Sequence, residues 1–520
     1  MAGDGDHGGV LDGGISRARF LRLAGLGAGI SLFPGPLLSA GPGAAQAVGA
    51  PEILSPNGRY PIAVWWPPPP VPKDDPGDPR SDTERTNALY AELAGAGFNA
   101  VLGGNGVAND RANRLALDAC QANGLRLVLA DQAFRNAIDG AAGTTAARSE
   151  AQEEPQSVLQ ALTEQDSPQD LQAQAAADPG TVSQRIQELY TKFGTYPALA
   201  GLLLYDEPHR SLFGVLRDAK EQVERQRSGE DLPYVNVWPS HASPKNALGA
   251  ESYTDYLEKY MNETRYPNSA VAPPVLSFDH YPLLTDERTT PDFFYNHAVI
   301  RNFARRFGVP SWGFVQSMGF DGRKVGLGVR RRPDEAEIFW QINVALAYGV
   351  KGVQYFTYWT PQNNEVKFGN ALISRAGTRT SLYGYAQRAN DFLRKVGGVL
   401  LPLTSYSVTH FGEKRLPRGA RRFRGNGYVK AASGDPAILS FFGAPNDPTE
   451  RYLLVVNRSP NRASRTRLTV SGTVKRVERF DPSVGETGVF VPQPLGGDPP
   501  RFLYPSPRAG RAVLYRMRKA

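Results

Sequence analysis

Between residues 60 and 400, short apolar runs alternate with amphipathic helical segments, and nothing else in the chain restricts the fold as strongly. Pro61–Trp66, Asn99–Gly104, Arg126–Asp131, the run opening at Gly201, Leu232–Pro239, Pro274–Tyr281, Pro310–Ser317 and Gly352–Trp359 read as strands. The run Gly201-Leu-Leu-Leu-Tyr-Asp206 is apolar throughout until it meets a carboxylate, as a strand covered on both faces by helices should be. Asp82–Gly97, Asn109–Asn123, Thr181–Phe193, the region of Ser252–Asn262, Asp292–Phe307, Asp334–Tyr348 and Ser381–Leu393 carry helical spacing. Eight strands alternating with helical segments over about three hundred residues predict a (β/α)8 barrel enlarged by insertions. A doubly wound sheet would need a glycine fingerprint after its first strand, and Trp65-Trp66-Pro67 stands there instead.

Three further stretches fall outside this alternation. Ser16-Arg17-Ala18-Arg19-Phe20-Leu21-Arg22 precedes a weakly apolar run, Leu23 to Leu38, and then Ala45-Gln46-Ala47. A basic region, a short apolar run and an A-x-A site predict an export signal over residues 1–47, twin-arginine-like or general secretory, and hence a secreted or cell-surface protein without stable membrane association. The barrel is expected over 48–400, with an Ala/Gln/Glu-rich insertion at about 132–180 that is too long for a plain barrel loop. After Leu401 short alternating segments are separated by Gly, Pro, Asn and Asp, which predicts a C-terminal antiparallel β-sandwich over 401–520.

Charge and cysteine usage exclude several roles. The net charge of +8 comes from arginines that are scattered, with no basic stripe interleaved with stacking aromatics, so no nucleic-acid partner is expected. One cysteine, Cys120, cannot form an internal disulfide, and its helical setting makes it a small core residue. Six histidines and one cysteine show no metal-ligand spacing, so neither metal nor cofactor is expected.

In such a barrel the C-terminal ends of all strands converge on one face, where the chemistry resides. Those ends supply Trp66, Asn105, Asp131, Asp206 with Glu207, Asn236 with Trp238, Asp279 with His280 and Tyr281, Gln316, and Tyr355 with Tyr358 and Trp359. Carboxylates among indoles and amides suit cleavage of a glycosidic bond. One carboxylic acid protonates the departing oxygen, while a second carboxylate attacks or activates water. Aromatic rings cover the apolar face of a sugar and amides read its hydroxyls. Each residue alone has a plainer role, as a helix cap or a plug of the barrel mouth; their joint occurrence favours a carbohydrate substrate.

Tyr205-Asp206-Glu207-Pro208 resembles the Asn/Asp-Glu-Pro of clan A glycoside hydrolases, especially the β-galactosidase-like, family 42-like barrels. Asp279-His280-Tyr281-Pro282, Trp312–Ser317, Leu346-Ala347-Tyr348-Gly349 and Gly352–Trp359 resemble later strands of proteins near that group, and the likeness runs over about residues 58 to 400. The resemblance implies Glu207 as general acid/base. It also implies a nucleophilic Glu at the end of strand seven, where this chain has Gln316. Asp279 on strand six is the replacement chosen, as clan D enzymes use strands four and six. Asp206 and the loop or helix residues Glu335, Glu337 and Glu365 are the others. Asp334-Glu335-Ala336-Glu337 reads more simply as an acidic first helical turn. The expected function is hydrolysis of a poly- or oligosaccharide by Glu207, Asp279 and Asp206. The alternative is a degenerate barrel that binds glycan without cleaving it.

Overall fold

The structure, a computed structural model, describes residues 58–69, 80–104, 108–141, 181–226, 231–264, 274–286, 288–362, 365–444 and 447–519. The expected export signal, Asn105 and most of the 132–180 insertion lie outside the described residues.

Eight strands close a parallel barrel: β1 (Ile62–Trp65), β2 (Ala100–Leu102), β3 (Arg126–Leu129), β4 (Leu199–Asp206), β5 (Leu232–Val237), β6 (Leu276–Phe278), β7 (Ser311–Gln316) and β8 (Gly352–Phe356). Each pairs with its neighbours in sequence, and β8 closes onto β1 in the register Ile62 to Val353. Alternation along the strands divides the apolar residues into two layers. Ala63, Trp65, Ala100, Tyr234, Trp312 and Phe356 fill the barrel, while Ile62, Val64, Val101, Val353 and Tyr355 face the helices. At Gly352 a Cβ would stand 2.6 Å from the Trp312 ring, so the bare glycine of β8 makes room for the indole of β7 inside the barrel.

The helices around the barrel are α1 (Asp82–Gly95), α2 (Asp110–Ala122), α3 (Gln132–Ala141), α4 (Val182–Phe193), α5 (Phe213–Gln226), α6 (Tyr253–Glu263), α7 (Phe293–Phe307), α8 (Glu335–Ala347) and α9 (Ser381–Leu400). Capping boxes start three of them: Ser81 with Glu84, Thr181 with Gln184, and Asp334 with Glu337. Sequence spacing did not reveal α3 or α5. It also missed a small antiparallel sheet of Phe320–Gly322, Gly328–Arg330 and Lys367–Phe368 that follows β7 and β8.

From Thr404 the chain is antiparallel. Strands β9 (Thr404–Phe411), β10 (Val429–Gly434), β11 (Ala437–Gly443), β12 (Glu450–Asn457), β13 (Thr466–Val470), β14 (Val474–Asp481), β15 (Val489–Pro492), β16 (Phe502–Leu503) and β17 (Ala512–Lys519) make two sheets. The larger has the order β9-β11-β12-β17-β14-β15, and the smaller β10-β13-β16. Leu439, Phe441, Leu453 and Val455 of the larger sheet share a core with Val429, Leu468 and Leu503 of the smaller. The opposite face, with Ile438, Phe442, Leu454 and Val456, continues the barrel's own core. Helix α8 is therefore covered on both sides, and Ile338 to Ala347 are all buried. Polar groups key the contact: Trp340 Nε1 donates to the Arg458 carbonyl at 3.2 Å, Asn343 Nδ2 to Gly510 at 2.9 Å, and Ser440 Oγ to Ala347 at 2.6 Å. No helix among the described residues is long and apolar enough to cross a membrane.

The junction after α9 is tied by a buried cation. Lys351 Nζ, just before β8, donates to the carbonyls of Leu400, Leu401 and Leu403 at 2.7, 2.9 and 2.6 Å. Those oxygens are left over where α9 ends, and an ammonium satisfies them better than any neutral donor. Lys351→Met should therefore lower unfolding stability by roughly 2–4 kcal/mol, because it strands several buried carbonyls at once. Urea denaturation checks this; a change within the ~0.5 kcal/mol of a surface substitution would contradict it.

Candidate active site

Strand β4 is where the backbone departs from regularity. Its register against β5 shifts between Leu203 and Tyr205, a bulge that alters which residues face inward. Asp206 ends the strand, and Glu207 follows with φ of 52°, in the left-handed region that side chains other than Gly, Asn and Asp seldom enter. The Glu207 N–H still donates to the Asn236 carbonyl at 2.8 Å, so the turn is anchored to β5. Adjacent residues of a regular strand point to opposite faces. The bulge and the left-handed turn remove that restriction, and both carboxyl groups lie beside Asp279.

A polar chain links these acids through the barrel. Asn236 Nδ2 donates to Asp206 Oδ1 at 3.2 Å and to Asp279 Oδ1 at 3.1 Å. Its Oδ1 accepts from Ser277 Oγ at 3.0 Å, which fixes the amide orientation and aims both of its N–H groups at carboxylates. Ser277 in turn accepts from Gln354 Nε2 at 2.8 Å and lies 2.7 Å from the Tyr234 hydroxyl, which donates to Gln354 Oε1 at 2.6 Å. All of these side chains are buried. The Glu207 carboxyl group lies against Asp279 and lowers its pKa, opposing the effect of burial.

Burial dominates the electrostatics. It raises Asp206 to about 8, helped by the neighbouring charge of Asp279, while the Asn236 amide and Arg135 oppose the rise. Asp279 is raised to about 6, again by burial, while Glu207 and the hydrogen bond from the Asn236 amide lower it. Arg135, on α3, lies 3.5 Å over the Tyr205 ring and is the cation that acts on Asp206.

Of the residues expected at the site, Asp206, Glu207, Asn236, Asp279 and Tyr281 come together. Trp66 packs with Tyr281 and Phe356 in the inner cluster, and Trp359 lies half-buried against that cluster and the helix-side core. The others have different duties. Asp131 accepts from the Phe134 N–H at 2.8 Å and caps α3. Gln316 spends its amide on backbone, accepting from Leu283 N at 3.0 Å and donating to Met318 and Arg331 carbonyls at 3.2 and 2.7 Å. Tyr355 donates to Asn390 at 2.8 Å and, with Tyr358, packs edge-on to Phe98 in the helix-side layer. Trp238 also packs on that outer layer. His280 is buried behind the site against Asn296 and Thr290. Glu335 pairs with Arg388 and Arg511, Glu337 with Arg331, and Glu365 is exposed.

Tyr234, Ser277, Gln354 and Arg135 were missed. A signal existed for two of them, since Tyr234 with Asn236 and Ser277 with Asp279 stand two apart and share the inward face of their strands. Among the described residues one group could also hold a metal ion, His241, His280 and Asp292, whose spacing in sequence gives no hint of it.

Scans against protein-family models and curated proteins find no match. Solved structures resemble the chain at low identity. A β-galactosidase from Bacillus circulans sp. alkalophilus is 8% identical, covering 89% of this chain and 100% of its own, with a TM-score of 0.49. A β-galactosidase from the psychrophilic Marinomonas ef1 is 10% identical over 66% of this chain and 61% of its own, with a TM-score of 0.44. An α-amylase from Geobacillus thermoleovorans is 10% identical over 89% and 99%, with a TM-score of 0.43. These are likenesses of fold, and the chemistry has to be argued from the side chains.

The raised acids carry a sign. Against a free value of 3.8, folded Asp279 and Asp206 keep protons up to about 6 and about 8, while the unfolded chain has released them. Their contribution to stability is therefore greatest below about pH 4 and is lost as pH rises through the folded values. Asp206→Asn removes one such group isosterically. Its thermal midpoint should fall less than wild type between about pH 5 and pH 8, a gap worth roughly 1–3 kcal/mol. Parallel pH profiles for the two proteins would contradict the assignment.

Proposed function

We propose that the chain is a glycoside hydrolase acting on a poly- or oligosaccharide, with Glu207 and Asp279 as its acid–base pair. The observation that carries this reading is the meeting of Asp206, Glu207 and Asp279 around one oriented amide, at the barrel end where strands β4 and β6 finish. Buried acids that hold protons near neutral pH are what protonation of a glycosidic oxygen requires. In this reading Glu207 delivers its proton to the leaving oxygen while the Asp279 carboxylate takes one from the attacking water, so the pair loses one proton and gains one in each turnover. Asp206 keeps the local proton count high, and Asn236 keeps the acids in register. Tyr281, Trp66 and Trp359 are the aromatic candidates for contact with a sugar ring. Export is part of the proposal on the strength of the basic and apolar segments within residues 1–47.

A second reading has its own support. Glu207 and Asp279 are in hydrogen-bond contact, closer than the about 5–5.5 Å of retaining or the about 6.5–9.5 Å of inverting pairs. Strand seven offers no replacement, because Gln316 is committed to backbone. A barrel with these features could bind glycan without cleaving it. For hydrolysis, the entering glycosidic oxygen has to take the place of the Glu207–Asp279 hydrogen bond.

Release of reducing ends from a panel of polysaccharides decides between them. Glu207→Gln and Asp279→Asn should each lower kcat on a cleaved glycan by about 10²–10⁴-fold with folding preserved. Wild-type rates in either variant remove that residue from the mechanism. Calorimetric binding of a glycan that the wild-type protein never cleaves would establish the binding-only reading.

A further inference from the structure

We propose that His241, His280 and Asp292 form a binding site for a divalent transition-metal ion, with Zn²⁺ matching the donors best. One ligand atom from each lies within 4.8 Å of the other two. Two imidazoles and a carboxylate suit zinc rather than calcium or magnesium, which take oxygen ligands.

The hydrogen bonds around the cluster orient it for a cation. Asn296 Oδ1 accepts from Ser240 N at 2.6 Å, and its Nδ2 donates to the Tyr253 hydroxyl at 3.1 Å, so the amide orientation is set. The same Oδ1 lies 3.1 Å from His280 Nδ1, which must be the protonated nitrogen. His280 Nε2 then carries the lone pair, which accepts from the Thr290 hydroxyl and can turn to an ion, with the other ring nitrogen held by a carbonyl-type oxygen as behind metal-bound histidines. That Nε2 stands 3.7 Å from Asp292 Oδ1. Ligand atoms bound tetrahedrally to zinc at about 2.0–2.2 Å lie roughly 3.3–3.6 Å apart, so this pair is already close to that spacing and His241 closes the rest.

Asp292 supplies a second, independent sign. It occupies the N-cap of α7 and is the residue type that caps helices best, yet its side chain makes no cap hydrogen bond. The carboxylate is turned away from the helix: Oδ2 accepts from Ser240 Oγ at 3.1 Å, and Oδ1 faces His280. His241 meets His280 edge to face at 5.1 Å from the exposed side, leaving a route for the ion and a position open to water. The Thr290 hydroxyl, 2.7 Å from His280 Nε2, is the group that the ion displaces. His280 is adjacent to Asp279, so an ion here would join the ends of β5 and β6 to the start of α7.

Full-length protein stripped with a chelator and titrated with Co²⁺ tests the site, independently of any hydrolytic activity. One equivalent should produce the visible absorption of tetrahedral cobalt, Zn²⁺ should abolish it, and Zn²⁺ should raise the thermal midpoint. His241→Ala, at an exposed position, and the isosteric Asp292→Asn should each weaken Co²⁺ binding by at least about 100-fold, since outer partners alone are worth 10–100-fold. Asp279→Asn should leave it unchanged. Absence of the cobalt spectrum with no zinc effect on melting would overturn the site. So would binding that survives both ligand substitutions, or binding lost only in Asp279→Asn, which would place the ion among the carboxylates.

Discussion

The site depends on a single amide. Asn236 has both N–H groups committed to carboxylates on either side, Asp206 from β4 and Asp279 from β6. Buried carboxylates repel one another and lack water, so without shared donors they would have to separate or stay fully protonated. Asn236 is held in its orientation by Ser277, which is itself held by Gln354 and Tyr234. The chain reaches across the barrel interior, from β8 to β4. The strands supply these partners in sequence, and the second carboxyl oxygen of Asp206 is the one atom of this acid in the network left without a hydrogen-bond partner among the described residues.

The backbone is shaped to the same end. A bulge in β4 and a left-handed Glu207 place adjacent acids on one side of the barrel mouth, where a regular strand would have divided them. Conformations of this sort persist only where the surroundings hold them, and they collect at functional sites. The pinning contacts are the Glu207 N–H to Asn236 and the Tyr256 hydroxyl to the Pro208 carbonyl at 2.8 Å. Asn236 thus steadies the acids twice, once through its side chain and once through its carbonyl. Outside the barrel, α8 packs on the C-terminal sheets so that the two cores are continuous along one face, and Lys351 ties down the end of α9 ahead of them.

Two buried clusters lie side by side at the end of β6. Asp279 faces the barrel's acids, and His280, the next residue, turns to Asn296 and Thr290 among the helices. The two neighbours turn to opposite sides just after β6, one toward the acids proposed to act on a substrate and the other toward the cluster proposed to hold an ion. Gln316 illustrates the opposite case. Its position at the end of β7 suggested a role at the site, but its amide is consumed in holding the loops that contain Leu283 and Arg331.

What the sequence determined by itself was the barrel, the change to antiparallel strands near residue 401, and the placing of Asp206, Glu207, Asn236 and Asp279 at strand ends. Apolar runs of strand length between helical stretches permit few other folds, and the strand ends follow from the runs. Tyr355, Tyr358 and Asp131 were expected at the site from their end positions, but an end position does not tell which face a side chain takes; Tyr355 faces the helices and Asp131 caps one. Only the tertiary structure decided that Asp206 and Glu207 share a face, since that rests on a bulge and a positive φ which no periodicity reports. Only it brought together His241, His280 and Asp292, which are dispersed along the chain and meet because β5, β6 and α7 converge. Periodicity reports what is repeated along a chain, whereas a site is made of exceptions, assembled by packing from residues far apart in sequence.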